Sequence, residues 1–365
     1  FYSYFSRLQE FKELLDAPKI DLKRLKALSF NGVPDEHGHR ALCWRLLLNY
    51  LPPERAQWDS ILERKRKLYQ QFIEEMIVSP GEGEMEAQSD HPLCVNPDSQ
   101  WQTYFRDNEV LLQIDKDVRL RLCPDISFFQ QASEFPCQSV VYSSGRKRLH
   151  RRVQLSVLNS ANVERKHLGI LKHNLLIKKA QEDYVPLEEG SEAHWEVVER
   201  LLFLYAKLNP GQGYVQGMNE IIGPIYYTFA CDPSTQWREH AEADCFFVFT
   251  NLMAECGINR LMNKLISQLQ HQDHAVYELL RRQELCPQYY SFRWLTLMLS
   301  QEFPLPDVLR IWDSLFADED RFSFLIHVCC AMIMLIRNQL LNNDFPNNVK
   351  ILQVSFYPFF FFYYG

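Results

Sequence analysis

The sequence has no Cys-x-x-Cys pair, no unbroken apolar run of about 18 residues, and no Gly-x-x-x-x-Gly-Lys-Ser/Thr loop. Each absence removes a class of function. Ten cysteines are scattered at positions 43, 94, 123, 137, 231, 245, 256, 286, 329 and 330. Such spacing starts neither a zinc site nor a thiol-exchange site, so reduced, buried thiols and a cytosolic location are expected. Without a long apolar run no membrane span is expected, and without the phosphate-cradling loop the chain is not expected to bind nucleotide unaided. No charged-then-apolar leader opens it at Phe1. His271 and His274 stand three apart with no third ligand at metal-site spacing. The net charge of −7 gives no overall reason to expect a nucleic-acid partner. Alternating apolar and polar runs are nearly absent too. The apolar period is helical throughout and the connections carry Pro or Gly, so the expected fold is all-α. With 365 residues, 47% of them apolar, the chain can bury a substantial core as one domain or as two lobes.

Along the chain, residues 5–17 suit a short amphipathic helix, after which Leu22 to Phe30 leads into Asn31-Gly-Val-Pro34, a turn followed by a helix start. Between His39 and Leu51, Leu42, Leu46 and Leu47 form an apolar stripe, while Arg40 and Trp44 lie four apart on one face. The plain reading is a core tryptophan covered by an arginine stem. Glu54 to Ile77 predicts a long surface helix, and 79–100 a loop rich in Pro, Gly, Ser, Asp and Asn. Trp101 to Leu122 predicts another helix. Its end, Ile114-Asp115-Lys116-Asp117-Val118-Arg119-Leu120-Arg121-Leu122-Cys123-Pro124, is dense in charge, which ordinarily marks a solvated face. Residues 138–180 hold ten Lys or Arg against one acid, Glu164, and almost no aromatics. This composition predicts a solvated, mostly disordered insertion that does not stack on single-stranded nucleic acid, with 146–152 available to anionic lipid. Gln288 to Phe303 and Leu305 to Phe316 predict two helices and Phe324 to Leu341 one more; the aromatic run Val354 to Gly365 fits none.

The centre of the chain is Asn209-Pro-Gly-Gln-Gly-Tyr-Val-Gln-Gly-Met-Asn-Glu-Ile-Ile222, which joins a helix over Trp195–Leu208 to the nearly all-apolar Ile221–Phe229. Pro210 stops the first helix, Gly211 and Gly213 permit tight backbone geometry, and Gly217 leaves room beside Gln216. An amide in this place either satisfies orphan backbone donors or, held on rigid supports, serves chemistry. The residues alone leave both readings open.

Tyr214-Val215-Gln216-Gly217-Met218-Asn219 resembles the Tyr-x-Gln-Gly-Met motif of the TBC (Tre-2, Bub2, Cdc16) domains, GTPase-activating proteins for Rab-type small GTPases. Gly32-Val-Pro34 with Arg40-x-x-x-Trp44 resembles the family's Arg-x-x-x-Trp signature. Ile114-x-x-Asp117 resembles the start of its Ile-x-x-Asp-x-x-Arg signature, which a proline follows three residues later. Here the sequence departs from the pattern. The arginine position holds Leu120, and counting back from Pro124 selects Arg121, so one extra residue separates the two halves. Phe292-Arg-Trp-Leu-Thr-Leu and Val308-Leu-Arg-Ile-Trp-Asp-Ser-Leu-Phe316 are similar to later TBC helices. The resemblance covers 29–345, interrupted over 138–190, with 1–28 a helical lead-in and 346–365 an atypical tail.

The resemblance implies an all-α fold and a two-finger mechanism supplied in trans to a GTP-bound Rab. Gln216 would place the attacking water and Arg121 would offset charge on the phosphoryl oxygens. Asp117 and Ile114 would brace the arginine-bearing helix, Arg40 and Trp44 would hold neighbouring helices, and Tyr214, Gly217 and Asn219 would order the glutamine turn. GTP and magnesium would belong to the partner, leaving the chain with no cofactor of its own, and its work would lie at trafficking membranes. Displacement of the arginine by Leu120 would imply instead a non-catalytic Rab-binding effector or scaffold.

Overall fold

The computed structural model describes residues 2–77, 100–123, 126–142, 147–154, 184–255 and 258–353. Helices follow one another along them: α1 Tyr2–Asp16, α2 Leu22–Phe30, α3 His39–Leu47, α4 Trp58–Met76, α5 Gln100–Arg121, α6 Gln138–Val141, α7 over 149–154, α8 His194–Leu208 and α9 Met218–Ala230. Beyond these come α10 Thr235–Arg238, α11 Ala241–Ala254, α12 Ile258–Gln272, α13 His274–Arg282, α14 Ser291–Thr296, α15 Leu305–Ala317, α16 Ser323–Leu335, α17 Arg337–Leu341 and α18 Phe345–Gln353. Among the described residues β pairing amounts to isolated bridges, Lys19 with Glu54 and Ala132 with Ala193. The fold is all-α. No helix among these residues is long and apolar enough to cross a membrane.

The chain divides into two compact units, one of Phe1–Leu62, Thr228–Arg238 and Phe247–Gly365, the other of Glu63–Tyr227 and Glu239–Phe246. In the first unit α15 packs on α2 and α3, and α12 on α13, α14 and α16. Trp44, Trp312 and Phe316 fill the α3–α15 seam, with the Trp44 and Phe316 rings edge to face at 5.1 Å. Asp21 starts α2 by accepting the Lys23 and Arg24 N–H groups, which no carbonyl inside the helix can reach. In the second unit α5 packs along α8. Residues from His194 to Ala206 of α8 are all buried, polar ones included. An interior helix of this kind must pair its charges. The Arg200 guanidinium does so, donating to Glu242 at 2.6 and 2.8 Å and to Glu192.

Two predicted helices are shorter than their pattern. The helix expected over Gln288–Phe303 stops at Thr296, because Met298 and Leu299 take φ of +48° and +65°. The Trp312 indole N–H donates to the Met298 carbonyl at 2.9 Å, a tertiary bond that helical pattern does not register. The stretch expected as one helix over Phe324–Leu341 is divided at Ile336 into α16 and α17.

The basic segment departs from expectation more sharply. Arg148, His150 and Arg152, read as part of a solvated, lipid-accessible patch over 146–152, are 3%, 2% and 3% exposed. Arg148 lies 3.6 Å from the Glu196 carboxylate and donates to the Leu187 and Ser191 carbonyls. The His150 ring stands 3.1 Å from Glu196. Arg152 donates to the Asn108 side-chain oxygen at 2.9 and 3.1 Å and covers the Tyr104 ring at 4.2 Å. Arg148 and Arg152 are interior because the Glu196 carboxylate on α8 and the Asn108 oxygen and Tyr104 ring face on α5 receive them. Val140 and Val141 of α6 are buried as well. The rest of the expected insertion, 155–183, lies outside the described residues, as do 78–99 and the aromatic run 354–365.

Candidate functional site

The site grows from the end of α8. Asn209 closes that helix twice: its N–H donates to the Tyr205 carbonyl at 3.0 Å and its side-chain amide to the same oxygen at 2.9 Å. Pro210 cannot extend the ladder. The Gln212 and Gly213 N–H groups turn back to the Asn209 carbonyl at 3.0 and 2.7 Å, and the Tyr205 hydroxyl donates to the Gln212 side chain at 2.7 Å. Gly217, at φ +98°, swings the chain from Gln216 into α9, a conformation that a side chain at this position would strain. Gln216 is thereby exposed on a turn anchored at both ends.

Asp117 ties this turn to α5. Its carboxylate, 4% exposed, accepts the Tyr214 hydroxyl at 2.9 Å and the Gln216 amide at 3.5 Å, while its backbone carbonyl accepts the Asn219 amide at 3.3 Å. Burial, and then the Asp117 charge, hold the Tyr214 phenol far above its ordinary range, so it stays a donor. Ile114, one turn before Asp117, is fully buried and seats α5. The long Gln216 contact is a weak one, leaving its amide free to accept better partners. Six of the residues singled out in the sequence thus meet: Ile114, Asp117, Tyr214, Gln216, Gly217 and Asn219.

The end of α5 decides what stands beside them. The helix runs through Leu120 to Arg121, so the extra residue is taken up as helix. The turn comes immediately afterwards, with Cys123 at φ +42°. The side chains of Leu120 and Arg121 lie outside the described set. Arg119 is half-buried and engaged by protein partners. Its guanidinium donates to the Tyr184 carbonyl at 3.1 Å, stands 3.7 Å from Asp115 and faces the Trp195 ring at 5.9 Å. Tyr184 in turn donates from its hydroxyl to the Leu122 carbonyl at 2.7 Å and to that of Cys123 at 3.4 Å. Tyr184 carried no signal in the sequence, since it borders a stretch with no helical period.

Arg40 and Trp44 belong to the first unit and converge on Asp313. Trp44 donates its indole N–H to Asp313 at 2.8 Å, the Val33 N–H does so at 2.8 Å, and Arg40 at 3.1 to 3.2 Å while also donating to the Val33 carbonyl. Asp313 is fully buried, and that burial pushes its carboxyl up against the opposing pull of Arg40. Arg40 is therefore an ion-pair partner rather than a cover for Trp44. Asp313 lies inside a segment that drew notice only for its helical text.

Comparison with known proteins identifies similar chains. The model of the Rab-GTPase-TBC domain family matches residues 162–341. TBC1 domain family member 13 of Homo sapiens is 54% identical over 374 residues, covering 95% of this chain and 93% of that protein. A TBC domain-containing protein of Schizosaccharomyces pombe is 34% identical over 437 residues, covering 97% and 70%. Among solved structures, the Ypt/Rab-GAP domain of Gyp1p has a TM-score of 0.65 and 21% identity, covering 96% of this chain and 91% of that one. That last likeness is one of fold.

Proposed function

Because the chain belongs to the Rab-GTPase-TBC domain family, we propose that it accelerates GTP hydrolysis by a Rab-type small GTPase, with Gln216 and Arg121 supplied in trans to the GTP-loaded partner. The observation that carries this reading is the Asp117 bridge, which holds the exposed glutamine turn and the arginine-bearing end of α5 in one frame. In the reaction, water attacks the γ-phosphorus as the bond to the β–γ bridging oxygen breaks, and negative charge spreads over the phosphoryl oxygens. The Gln216 carbonyl accepts from that water while its amide N–H donates to a phosphoryl oxygen. Arg121 offsets the developing charge with a cation that does not lose its proton. GTP and magnesium are the partner's. The chain acts in the cytoplasm, on trafficking membranes where the partner resides.

Phosphate release from a panel of GTP-loaded Rabs tests this. At least one Rab is expected to be stimulated. Arg121→Ala should then remove about 10³-fold or more of the stimulation, and Gln216→Ala about 10²-fold. Gln216→Ala should leave stability within about 0.5 kcal/mol, since its side chain is exposed and its contact weak. A panel without any stimulated Rab, or full turnover by both variants, ends the proposal.

One observation favours a second reading. Relative to the family spacing, Leu120 adds one residue, about 100° of helix, between Asp117 and Arg121. A chain that binds GTP-loaded Rab without phosphate release, and gains release when Leu120 is deleted, is an effector as it stands.

A further inference from the structure

We infer that Tyr184 is a positioning residue for Arg121, a role that rests on the GTPase-activating reading and extends it to a residue outside every motif in the sequence. The last carbonyls of a helix have no partner within the helix. The Arg119 carbonyl in the last turn of α5 and the Leu122 and Cys123 carbonyls in the turn after it flank Arg121, and Tyr184 takes them from both sides. Its backbone N–H donates to the Arg119 carbonyl at 3.4 Å, and its hydroxyl to the Leu122 and Cys123 carbonyls at 2.7 and 3.4 Å. The contact is reciprocal, because Arg119 donates its side chain to the Tyr184 carbonyl at 3.1 Å. One residue thus brackets Leu120 and Arg121 and holds the left-handed Cys123, where a non-glycine residue stays only if its surroundings fix it.

Tyr184 is itself fixed. The Gln130 side-chain amide pairs with the Val185 backbone in both directions, at 2.7 and 2.8 Å. Arg148 donates to the Leu187 and Ser191 carbonyls, and the Ser133 N–H donates to the Glu192 carbonyl at 2.7 Å. Residues 184–192 therefore form a strap tied at several points. Against the end of α5 from α9 stands Gly223, where an added Cβ would lie 2.7 Å from Leu122 Cδ1 and 3.4 Å from the Cys123 sulfur. A catalytic arginine is effective only when its fork is placed to within a fraction of an ångström. The strap fixes the backbone that carries Arg121 from outside the motif, at the turn that follows the extra residue.

Tyr184→Phe tests this, because it keeps the ring and both backbone bonds to Arg119 and removes only the hydroxyl. With the Rab of the panel that wild type stimulates most, kcat should fall about tenfold while KM for that Rab changes less than about twofold. In an Arg121→Ala background the same substitution should lower kcat no further, since nothing remains to be positioned. Amide exchange in the last turn of α5 should quicken several-fold. An equal loss of kcat in both backgrounds, a change in KM alone, or unaltered exchange overturns the role. A wild-type chain that stimulates no Rab overturns the activity reading and the reaction role together; exchange then reports separately whether the hydroxyl cap exists.

Discussion

Asp117 is a buried carboxylate that, among the described residues, accepts from the Tyr214 hydroxyl and the Gln216 amide. These donors satisfy the carboxylate and, with the Asn219 amide on the neighbouring carbonyl, tie the glutamine turn to α5. Tyr214→Phe leaves the fold's shape intact but takes the shortest donor from a buried charge, so a loss of about 1–3 kcal/mol in urea denaturation is expected. Phosphate release should fall with it, because the turn bearing Gln216 loses its firmest tie to α5. An unchanged denaturation midpoint would show that water replaces the phenol at no cost.

At the scale of elements, the junction of α5 with α9 depends on a missing side chain. Gly223 lies within α9, where replacing glycine by alanine ordinarily stabilises by about 1 kcal/mol. Here the new methyl would sit 2.7 Å from Cδ1 of Leu122, a residue 1% exposed that must shift to admit it. Gly223→Ala is therefore expected to destabilise by about 1–3 kcal/mol and to lower phosphate release by pushing the end of α5. A thermal melt with an enzyme assay on the same preparation checks both. Stabilisation with full activity would mean that Leu122 yields and that the position of α5 tolerates the shift.

For the molecule as a whole, buried titratable groups set how stability follows pH. His194 stacks on Phe128 at 4.0 Å and contacts the Tyr226 hydroxyl at 2.8 Å, and burial lowers its pKa to about 4. The unfolded chain takes up that proton near pH 6.5, the folded one only near pH 4, so stability falls as pH drops through this window. The loss is on the order of 3 kcal/mol. His194→Gln should flatten this limb in urea midpoints measured from pH 4 to 7, whatever it does to stability at neutral pH. Glu199 works in the opposite sense. Burial and then the Asp115 charge raise its carboxyl well above the usual range, so its contribution is favourable below the unfolded pKa and is lost as pH rises through the folded one. Glu199→Gln is expected to raise the neutral-pH midpoint; a lowered midpoint would mean that the ionised carboxylate is held by a cation.

The helices and the glycine turn were legible without coordinates. A 3.6-residue period and Pro or Gly punctuation are local properties, so α4 over Trp58–Met76, inside the stretch Glu54–Ile77 that its period marks, and the turn before α9 follow from neighbouring residues alone. The cluster of Asp117, Tyr214, Gln216 and Asn219 was legible only through motif resemblance. What only the tertiary structure decided is the destination of charge. Arg148 and Arg152 sit in a run that reads as solvated, and Arg119 in a helix end that reads the same way, yet each is turned inward. Trp44 and Arg40 find their partner at Asp313, which stands 273 residues from Arg40 in the sequence. Tyr184 meets Arg119 of α5 across 65 residues. Whether a charged or polar group is buried depends on which partner the fold brings to it and how far that pairing offsets desolvation, and neither quantity is contained in the residues on either side.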